Sequence, residues 1–154
     1  MADLDAIEPW IAGLIESLDD RGRRDLARKL AILMRRGQAD RIARQQNPDG
    51  TPYAPRKPRL RARAGTIRRR ADNLRMFRKL RQAKYLLTRI EDDGVAVGFT
   101  GTTARIALVH QRGLRDRVSR ESNAPEVTYS MRQLLGWSAD DRAAVMDAVL
   151  AHLD

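Results

Sequence analysis

The sequence predicts an α+β fold, with N-terminal helices and a C-terminal helix packed on a small antiparallel β-sheet. Three observations predict it. Apolar residues recur at helical spacing near both ends of the chain, two short runs rich in β-formers flank an Asp-Asp-Gly turn, and no internal repeat is found. The 154 residues are 42% hydrophobic but only 5% aromatic. One domain with an aliphatic core is therefore expected.

Two helices are predicted before residue 47. The first has apolar positions Leu4, Ile7, Ile11, Leu14, Ile15 and Leu18, and Pro9 favours a regular start there. Asp20 is the expected N-cap of the second helix. That helix should end near Gln46, because the residue before Pro48 avoids the helical region. Its expected buried face consists of Leu26, Leu30, Leu33, Met34 and Ile42.

A turn and an extended arm follow. Asn47-Pro48-Asp49-Gly50 has the residues of a tight turn, with Gly50 where a left-handed backbone is needed. The prolines at 52, 55 and 58 favour an extended course, and residues 60–70 offer too little apolar surface to bury. We therefore predict a helical pair at 1–46, a Pro/Arg-rich arm at 47–73 and an α+β body at 74–154, all within one domain.

The body begins with a predicted short helix on Leu74, Phe77 and Leu80, with Tyr85 beyond. The runs 86–91 and 95–100, separated by Asp92-Asp93-Gly94, predict a β-hairpin. The stretch TTARIALVHQRG predicts a helix capped by Gly113, although Ile106 to Val109 would also serve as a strand.

The last third of the chain is predicted to hold a loop, a strand and a helix. Residues 115–126 are polar and charged, which is typical of a mobile loop, and EVTYSM predicts a short strand. Ser138 and Asp141 form the pattern of a capping box. The final helix is expected to direct Val145, Met146, Val149, Leu150 and Leu153 inward.

Composition excludes several classes of protein. No apolar run approaches the ~20 residues that a membrane span requires, and the acidic N-terminus lacks the features of a secretory signal. The absence of cysteine excludes disulfides and fits a reducing cytoplasm.

Charge is distributed unevenly along the chain, whose net charge is +10. Residues 56–84, called the basic segment below, hold thirteen basic side chains and one acidic side chain, Asp72. Residues 1–20 hold six carboxylates and no basic side chain: Asp3, Asp5, Glu8, Glu16, Asp19 and Asp20. Such a chain can bind copies of itself head to tail, a contact that builds rings or filaments.

No catalytic, cofactor or metal site is predicted. Aligning Gly50 with the invariant glycine of a calcium loop places Arg56 where a bidentate Glu belongs, so the turn at 47–50 is expected to be structural. The serines lie in no nucleophile turn and no phosphate-binding loop is present. His110 and His152 are far apart in sequence, and His110 is expected to pack or form hydrogen bonds.

The basic segment suits either of two partners. Arginine binds phosphates and carboxylates alike, so the segment can face nucleic acid or an acidic protein surface. Only Phe77 and Tyr85, at its end, could stack on bases. Contact with nucleic acid would therefore use backbone charge, and a protein-facing arm is the favoured interpretation.

Taken together and in order, the motifs resemble a known family. RIARQQNPDGTPYAP, VAVGFTG, RIALVHQRG and YSMRQLLGWSADDRAAVMDAVLAHL follow one another as in the virion-morphogenesis, or tail-completion, family of contractile-tailed and Mu-like bacteriophages. The resemblance runs from about Asp3 to Leu153. Its most specific positions are Pro48, Asp49, Gly50, Tyr53, His110, Gln111, Gly113, Arg132, Leu135 and Gly136. Tyr53 stands where many members carry tryptophan.

The resemblance implies a structural assembly protein with no enzymatic activity and no cofactor. Members finish the tail or neck so that head and tail can join, as rings on the shared axis of tail and portal, and six or twelve copies are expected. The implied partners are further copies of the chain, the tail terminator or tail tube, and the head connector, with non-specific contact to the genomic DNA in the channel. The implied location is the virion tail or neck, reached from the host bacterial cytoplasm.

The favoured hypothesis is that the turn at 47–58 positions a protein-contacting arm. Its expected interface residues are Arg56, Lys57, Arg59, Arg61, Arg63, Arg68, Arg69 and Arg70. The alternative is a basic nucleic-acid-binding protein that grips the phosphate backbone through residues 56–84.

Overall fold

The computed structural model describes residues 12, 13, 15, 16, 18–56, 75–92, 94–119 and 121–153. Within these residues the named helices are α1 (Asp20–Arg44), α2 (Gly101–Arg112) and α3 (Ala139–Leu153). The strands are β1 (Leu86–Glu91), β2 (Gly94–Phe99), β3 (Arg115–Arg117) and β4 (Glu126–Thr128). The α+β class predicted from the sequence is confirmed. None of the helices in the described ranges has the length and apolar character needed to cross a bilayer.

The strands form two separate antiparallel hairpins. β1 pairs with β2, with Leu86 opposite Phe99 and Glu91 opposite Gly94, and this confirms the predicted hairpin. β3 pairs with β4, with Arg115 opposite Thr128. The predicted mobile loop at 115–126 is therefore wrong at both ends, because Arg115–Arg117 pair with Glu126–Thr128 in an antiparallel ladder. Of the predicted EVTYSM strand, only the first three residues are paired.

The ends of α1 differ slightly from the prediction. Asp19, and not Asp20, is the N-cap, and its Oδ1 accepts a hydrogen bond from the Gly22 backbone N–H at 2.6 Å. At the other end the backbone of Gln45 is left-handed, with φ of 60°, so the helix stops two residues before the expected Gln46. Residues 12, 13, 15 and 16 are helical. The rest of the predicted first helix lies outside the described residues.

The region around Phe77 does not form the expected short helix. Residues 78–85 form successive turns, held by bonds such as Gln82 N–H to Lys79 O (3.0 Å) and Leu86 N–H to Gln82 O (3.0 Å). Phe77 has a positive φ of 64°, which interrupts any helix at that point. Leu74 lies outside the described residues. In contrast, residues 106–109 belong to α2, which ends at Gly113 (φ 64°) as predicted.

Two apolar clusters hold the elements together. The central cluster consists of Ile42, Tyr53, Met76, Leu80, Ala107 and Leu134, with Phe77 and Phe99 packed against it. The terminal cluster joins α1 to α3 through Leu26 and Val149, with Ile15, Leu18, Leu30, Val145, Met146 and Leu153 around them. Leu150 was expected to face inward but is 38% exposed. The central cluster gathers residues from five parts of the chain, and the candidate site is built on it.

Candidate functional site

An extended stretch, residues 129–138, runs between α1, the 47–50 turn and α2. We call it the connecting segment. Its backbone is held by side-chain amides instead of a β-ladder. Gln111 donates to Leu135 O (2.9 Å) and accepts from Leu135 N–H (3.0 Å), and Gln38 makes the same two bonds with Gly136 at 3.1 Å each. Asn47 Oδ1 accepts from Gln133 N–H at 2.9 Å. Three elements thus fix the path of one stretch of backbone.

Gly136 brings the connecting segment against the turn. Its φ is 154°, and a Cβ built on it would lie 2.5 Å from Cγ of Pro48. Leu134, two residues earlier, is fully buried in the central cluster. The Leu-Leu-Gly motif and the Pro-Asp-Gly motif are therefore two sides of one contact.

The turn itself has the predicted geometry. Gly50 donates its N–H to Asn47 O at 2.9 Å and has a φ of 84°. Asp49 Oδ1 accepts from the N–H (2.9 Å) and the hydroxyl (2.6 Å) of Thr51. These bonds lower the pKa of the Asp49 carboxyl group, with the Thr51 hydroxyl bond the largest cause. Asp49 and Gly50 are exposed, so this motif shapes the chain and leaves one carboxylate at the surface.

Tyr53 anchors the chain where it leaves the turn. Its N–H donates to Gln45 O at 2.7 Å, and its hydroxyl donates to Gln133 O at 3.3 Å. Its ring meets the ring of Phe77 edge to face, with centroids 5.8 Å apart. Burial raises the pKa of the Tyr53 hydroxyl to about 12, despite the opposing effect of Arg41. The hydroxyl therefore remains a neutral donor at physiological pH.

Arg132 fixes the two residues that follow Tyr53, Ala54 and Pro55. Its side chain is buried, and it donates from Nε to Ala54 O (2.7 Å) and from NH2 to Pro55 O (2.9 Å). Its own backbone N–H donates to His110 O at 2.7 Å. Guanidinium has five donors in a fixed fork, which suits several carbonyls at once. This residue sets the direction in which the chain enters the basic segment.

His110 is packed within this group. Its ring lies edge to face between Phe77 (4.8 Å) and Tyr129 (4.9 Å). Its Nδ1 lies 3.3 Å from NH1 of Arg132. Because guanidinium can only donate, Nδ1 is the acceptor and the proton of the neutral ring belongs on Nε2. Burial first, then the charges of Arg132 and Arg56, lower the pKa of His110 to about 4.

A cleft of about 490 Å³ lies between α2 and the β3–β4 hairpin, and both His110 and Ser119 line it. The two side chains do not form a nucleophile–base pair. His110 Nδ1 faces Arg132, and Ser119 Oγ accepts from the Glu121 N–H at 3.4 Å. Asp116, also at the cleft, is ion-paired with Arg105. In the described parts of the chain, no group of three His, Asp or Glu side chains is placed to hold a metal ion.

A buried polar group that the sequence patterns did not reveal joins α1 to the start of α3. Arg41 NH1 donates to Asp141 Oδ2 at 2.6 Å, and the two side chains are 3% and 10% exposed. Arg41 NH2 donates to Gly136 O (3.0 Å) and to Gln38 Oε1. Asp141 also completes the predicted capping box, accepting from the N–H (3.0 Å) and hydroxyl (2.8 Å) of Ser138. Helical spacing places Gln38 and Arg41 on the buried face of α1, and this was the one feature of the sequence that could have revealed the group.

The described residues on either side of 57–74 are both held by Gln45. The main-chain O of Gln45 binds the Tyr53 N–H, while its side chain accepts from Met76 N–H (2.7 Å) and donates to Met76 O (2.9 Å). Of the expected interface residues, Arg56 is exposed at one of these ends. The others lie outside the described residues: Lys57, Arg59, Arg61, Arg63, Arg68, Arg69 and Arg70.

The described end of the basic segment, residues 75–84, presents its charge outward. Met76 and Leu80 are buried, whereas five basic side chains between and beyond them are exposed: Arg75, Arg78, Lys79, Arg81 and Lys84. None of the five forms an ion pair with a carboxylate of the described residues. Five exposed basic side chains therefore adjoin the central cluster, and Nζ of one of them, Lys84, lies 4.7 Å from the centre of the Tyr85 ring.

The polar side chains of this region brace the backbone of the connecting segment and of the turn. The comparisons assign the chain to a family of structural phage proteins. The model of the phage virion morphogenesis family matches residues 2–154, so the chain belongs to that family. It is 35% identical to tail completion protein S of Escherichia phage P2, over 100% of this chain and 99% of that protein. No solved structure matches the chain significantly.

Proposed function

We propose that this chain is a structural tail protein that completes the phage tail, so that the finished tail can join the head. The observation that carries the proposal is the 35% sequence identity with a tail completion protein, which covers 100% of this chain and 99% of that protein. The fold supports it, because the family motifs in the described residues meet in one internally braced unit. No catalytic step and no cofactor enters the proposal.

The proposed place of action is the head–tail junction, where copies form a ring of six or twelve subunits around the DNA channel. Neighbouring copies, the tail terminator or tail tube and the head connector are its proposed partners. The protein would assemble in the host bacterial cytoplasm and remain in the virion. Symmetric closure requires a head-to-tail interface, which one chain with two different complementary surfaces can supply.

The basic segment is the proposed contact with a neighbouring protein. The core directs it: Arg132 holds the carbonyls of Ala54 and Pro55, and Gln45 holds Met76. The acidic N-terminal side chains were the expected counterpart. Two of them already have local roles, since Asp19 caps α1 and Asp20 lies 2.6 Å from Arg23. An acidic partner surface would therefore draw on the other four or on a different protein.

The test uses a phage that carries this gene, with the gene deleted and then supplied again. Electron microscopy should show a ring at the head–tail junction with the intact chain, and unjoined heads and tails without it. A variant with residues 57–74 replaced by a short Gly/Ser linker should fold but fail to restore joining. The matched control keeps the loop length and changes its seven basic residues to Gln.

Normal tailed virions in the deletion strain would overturn the proposed function. Normal virions with both loop variants, but not in the deletion strain, would retain the tail role and overturn the role of the loop. Failure of the linker variant together with success of the Gln variant would show that contact depends on the loop but not on its charge.

A second function is favoured by one observation, the exposed row of basic side chains at residues 75–84. In this alternative the chain binds the phosphate backbone of DNA. Each phosphate contact makes the logarithm of the binding constant fall by roughly 0.9 per tenfold rise in salt. Changing Arg78, Lys79 and Arg81 to Gln should then reduce both the affinity and the salt slope. Unchanged binding, or none in the parent protein, would contradict it.

A further inference from the structure

Within the described parts of the chain, the β1–β2 hairpin has two edges without a neighbouring strand. β1 and β2 pair only with each other there. In an antiparallel strand of six residues, about three direct their N–H and C=O groups to the outer side. Each edge therefore offers a full row of backbone donors and acceptors.

The strand β2 carries none of the residue types that normally prevent pairing at an edge. Residues 94–99 read GVAVGF, without charge or proline. Proteins usually protect an edge strand with Lys, Pro, a bulge or a covering element. β1 carries Arg89 and Glu91, whose charged groups lie 3.9 Å from each other. β2 brings no charge that would repel either side chain.

The hairpin packs against α1, and β2 also contacts α2. Leu86 is fully buried and stands opposite Phe99, which packs against the central cluster. Further along the same face, Ile90 stands opposite Val95 and is 44% exposed. A two-stranded sheet is marginally stable alone and gains from further strands. The outer half of this hairpin is thus the part that an added strand would stabilise.

We infer that successive copies of the chain pair edge to edge, with β2 of one copy hydrogen-bonded to β1 of the next. This inference rests on the proposed ring and names its interface. A second copy is the expected partner because one hairpin supplies both edges that the pairing needs. The β2 edge is uncharged, and the opposite charges of Arg89 and Glu91 on β1 offset each other. Pairing all around a ring leaves no edge open.

Symmetry also fixes the direction of the pairing. Copies related by rotation about an axis roughly along the strands keep the same strand directions. β2 of one copy then meets β1 of its neighbour in the antiparallel sense, as within the hairpin. A twofold pairing would instead join β2 to β2. The two arrangements place different residues side by side.

Disulfide trapping in the full-length protein distinguishes them, and the chain contains no cysteine of its own. Arg89→Cys and Ala96→Cys are made in separate proteins carrying tags of different size. Both positions are exposed and share one face of the hairpin. On mixing and mild oxidation, the R89C protein should link to the A96C protein. L87C and E91C replace R89C to cover neighbouring registers, because opposite Cβ atoms must lie within ~4.5 Å.

Two controls accompany the mixture. Arg89 and Ala96 are register partners, so the double variant should close a disulfide within one chain and confirm that oxidation works on this hairpin. Ala143→Cys, at an exposed position of α3, should give no linked product with either partner. Linked A96C–A96C dimers would overturn the inference in favour of twofold pairing. Absence of any linked product with all three β1 variants would overturn edge pairing.

The outcome separates the interface from the proposed function. If the gene is required for head–tail joining but no β1–β2 product forms, edge pairing is wrong and the tail role stands. If the product forms but virions assemble normally without the gene, edge pairing stands and the tail role is wrong.

Discussion

Gly136 illustrates how one residue connects distant parts of the chain. Both its positive φ and its approach to Pro48 select glycine, since a methyl group would meet the proline ring. On either side of it, Leu135 is held by Gln111 and Trp137 is half exposed. Gly136 therefore joins the connecting segment to the turn by a close approach of its backbone to Pro48.

Gly136→Ala should lower the free energy of unfolding by about 1–3 kcal/mol, because backbone strain and overpacking act together. Urea denaturation of the full chain measures it. Gly98→Ala is the matched control, since a Cβ there has no atom within 4 Å. Equal stability of the two variants would contradict the described contact between Gly136 and Pro48.

His110 gives the core a dependence on pH. Its pKa in the folded protein is about 4, below the ordinary value of 6.5, so the unfolded chain binds a proton first as pH falls. Its contribution to stability is therefore complete above pH 6.5 and is lost progressively between pH 6.5 and 4. His110→Gln should show a smaller loss of stability over this window than the parent. If the free energy of unfolding fell equally with pH in the variant and in the parent, the burial of a neutral His110 ring would be contradicted.

At the scale of secondary structure, the start of α3 is attached to the end of α1 by charge. Arg41 is buried and its bond to Asp141 crosses between the helices, while its NH2 group donates to Gln38 and Gly136. Gly37 allows this approach, because a side chain there would collide with Asp141. The capping box and the interhelical ion pair thus share one carboxylate.

Asp141→Asn should destabilise the protein by about 3–5 kcal/mol, because it leaves a buried guanidinium without its counter-charge. Asp140→Asn removes the same charge from the same first turn, but at an exposed position, and should cost less than about 1 kcal/mol. Guanidinium denaturation of both variants makes the comparison. A similar cost for both would mean that the helix dipole, and not the ion pair, explains Asp141.

The elements that could be predicted from sequence are those whose signals are local. The Asp-Asp-Gly hairpin, the Asn47–Gly50 turn, the Gly113 cap and the Ser138–Asp141 box each depend on a few adjacent residues. The short helix expected at Leu80 failed because Phe77 adopts a positive φ to place its ring between Tyr53 and His110. The bonds from Gln38 and Arg41 to Gly136 join residues far apart in sequence, so no local pattern predicts them. Helical spacing shows only that two polar side chains occupy positions on the buried face of α1.

At the scale of the whole molecule, the contacts on either side of residues 57–74 are made by residues outside that stretch. Tyr53 and Phe77 lie side by side, and Gln45 binds the backbone at Tyr53 and at Met76. On these contacts we expect the core to fold without residues 57–74.

Replacing residues 57–74 by about six Gly/Ser residues should leave unfolding cooperative and change stability by no more than about 1 kcal/mol, the entropy difference between the two loop lengths. Thermal and urea unfolding of the purified variant measure this. Conversely, loss of the cooperative transition would show that residues of the loop belong to the core. The same variant is the one expected to fail in head–tail joining.

The bonds between α1 and the connecting segment also determine when the protein can fold during synthesis. Gln38 and Arg41 bond to residues 95 to 100 positions later in the chain, and Asn47 to a residue 86 positions later. On the ribosome, therefore, α1 emerges long before the groups that satisfy its buried polar side chains. Contacts so distant in sequence form slowly and leave earlier segments exposed to aggregation. Among released chains of increasing length, resistance to protease is expected only in those that include residue 141, in one late step.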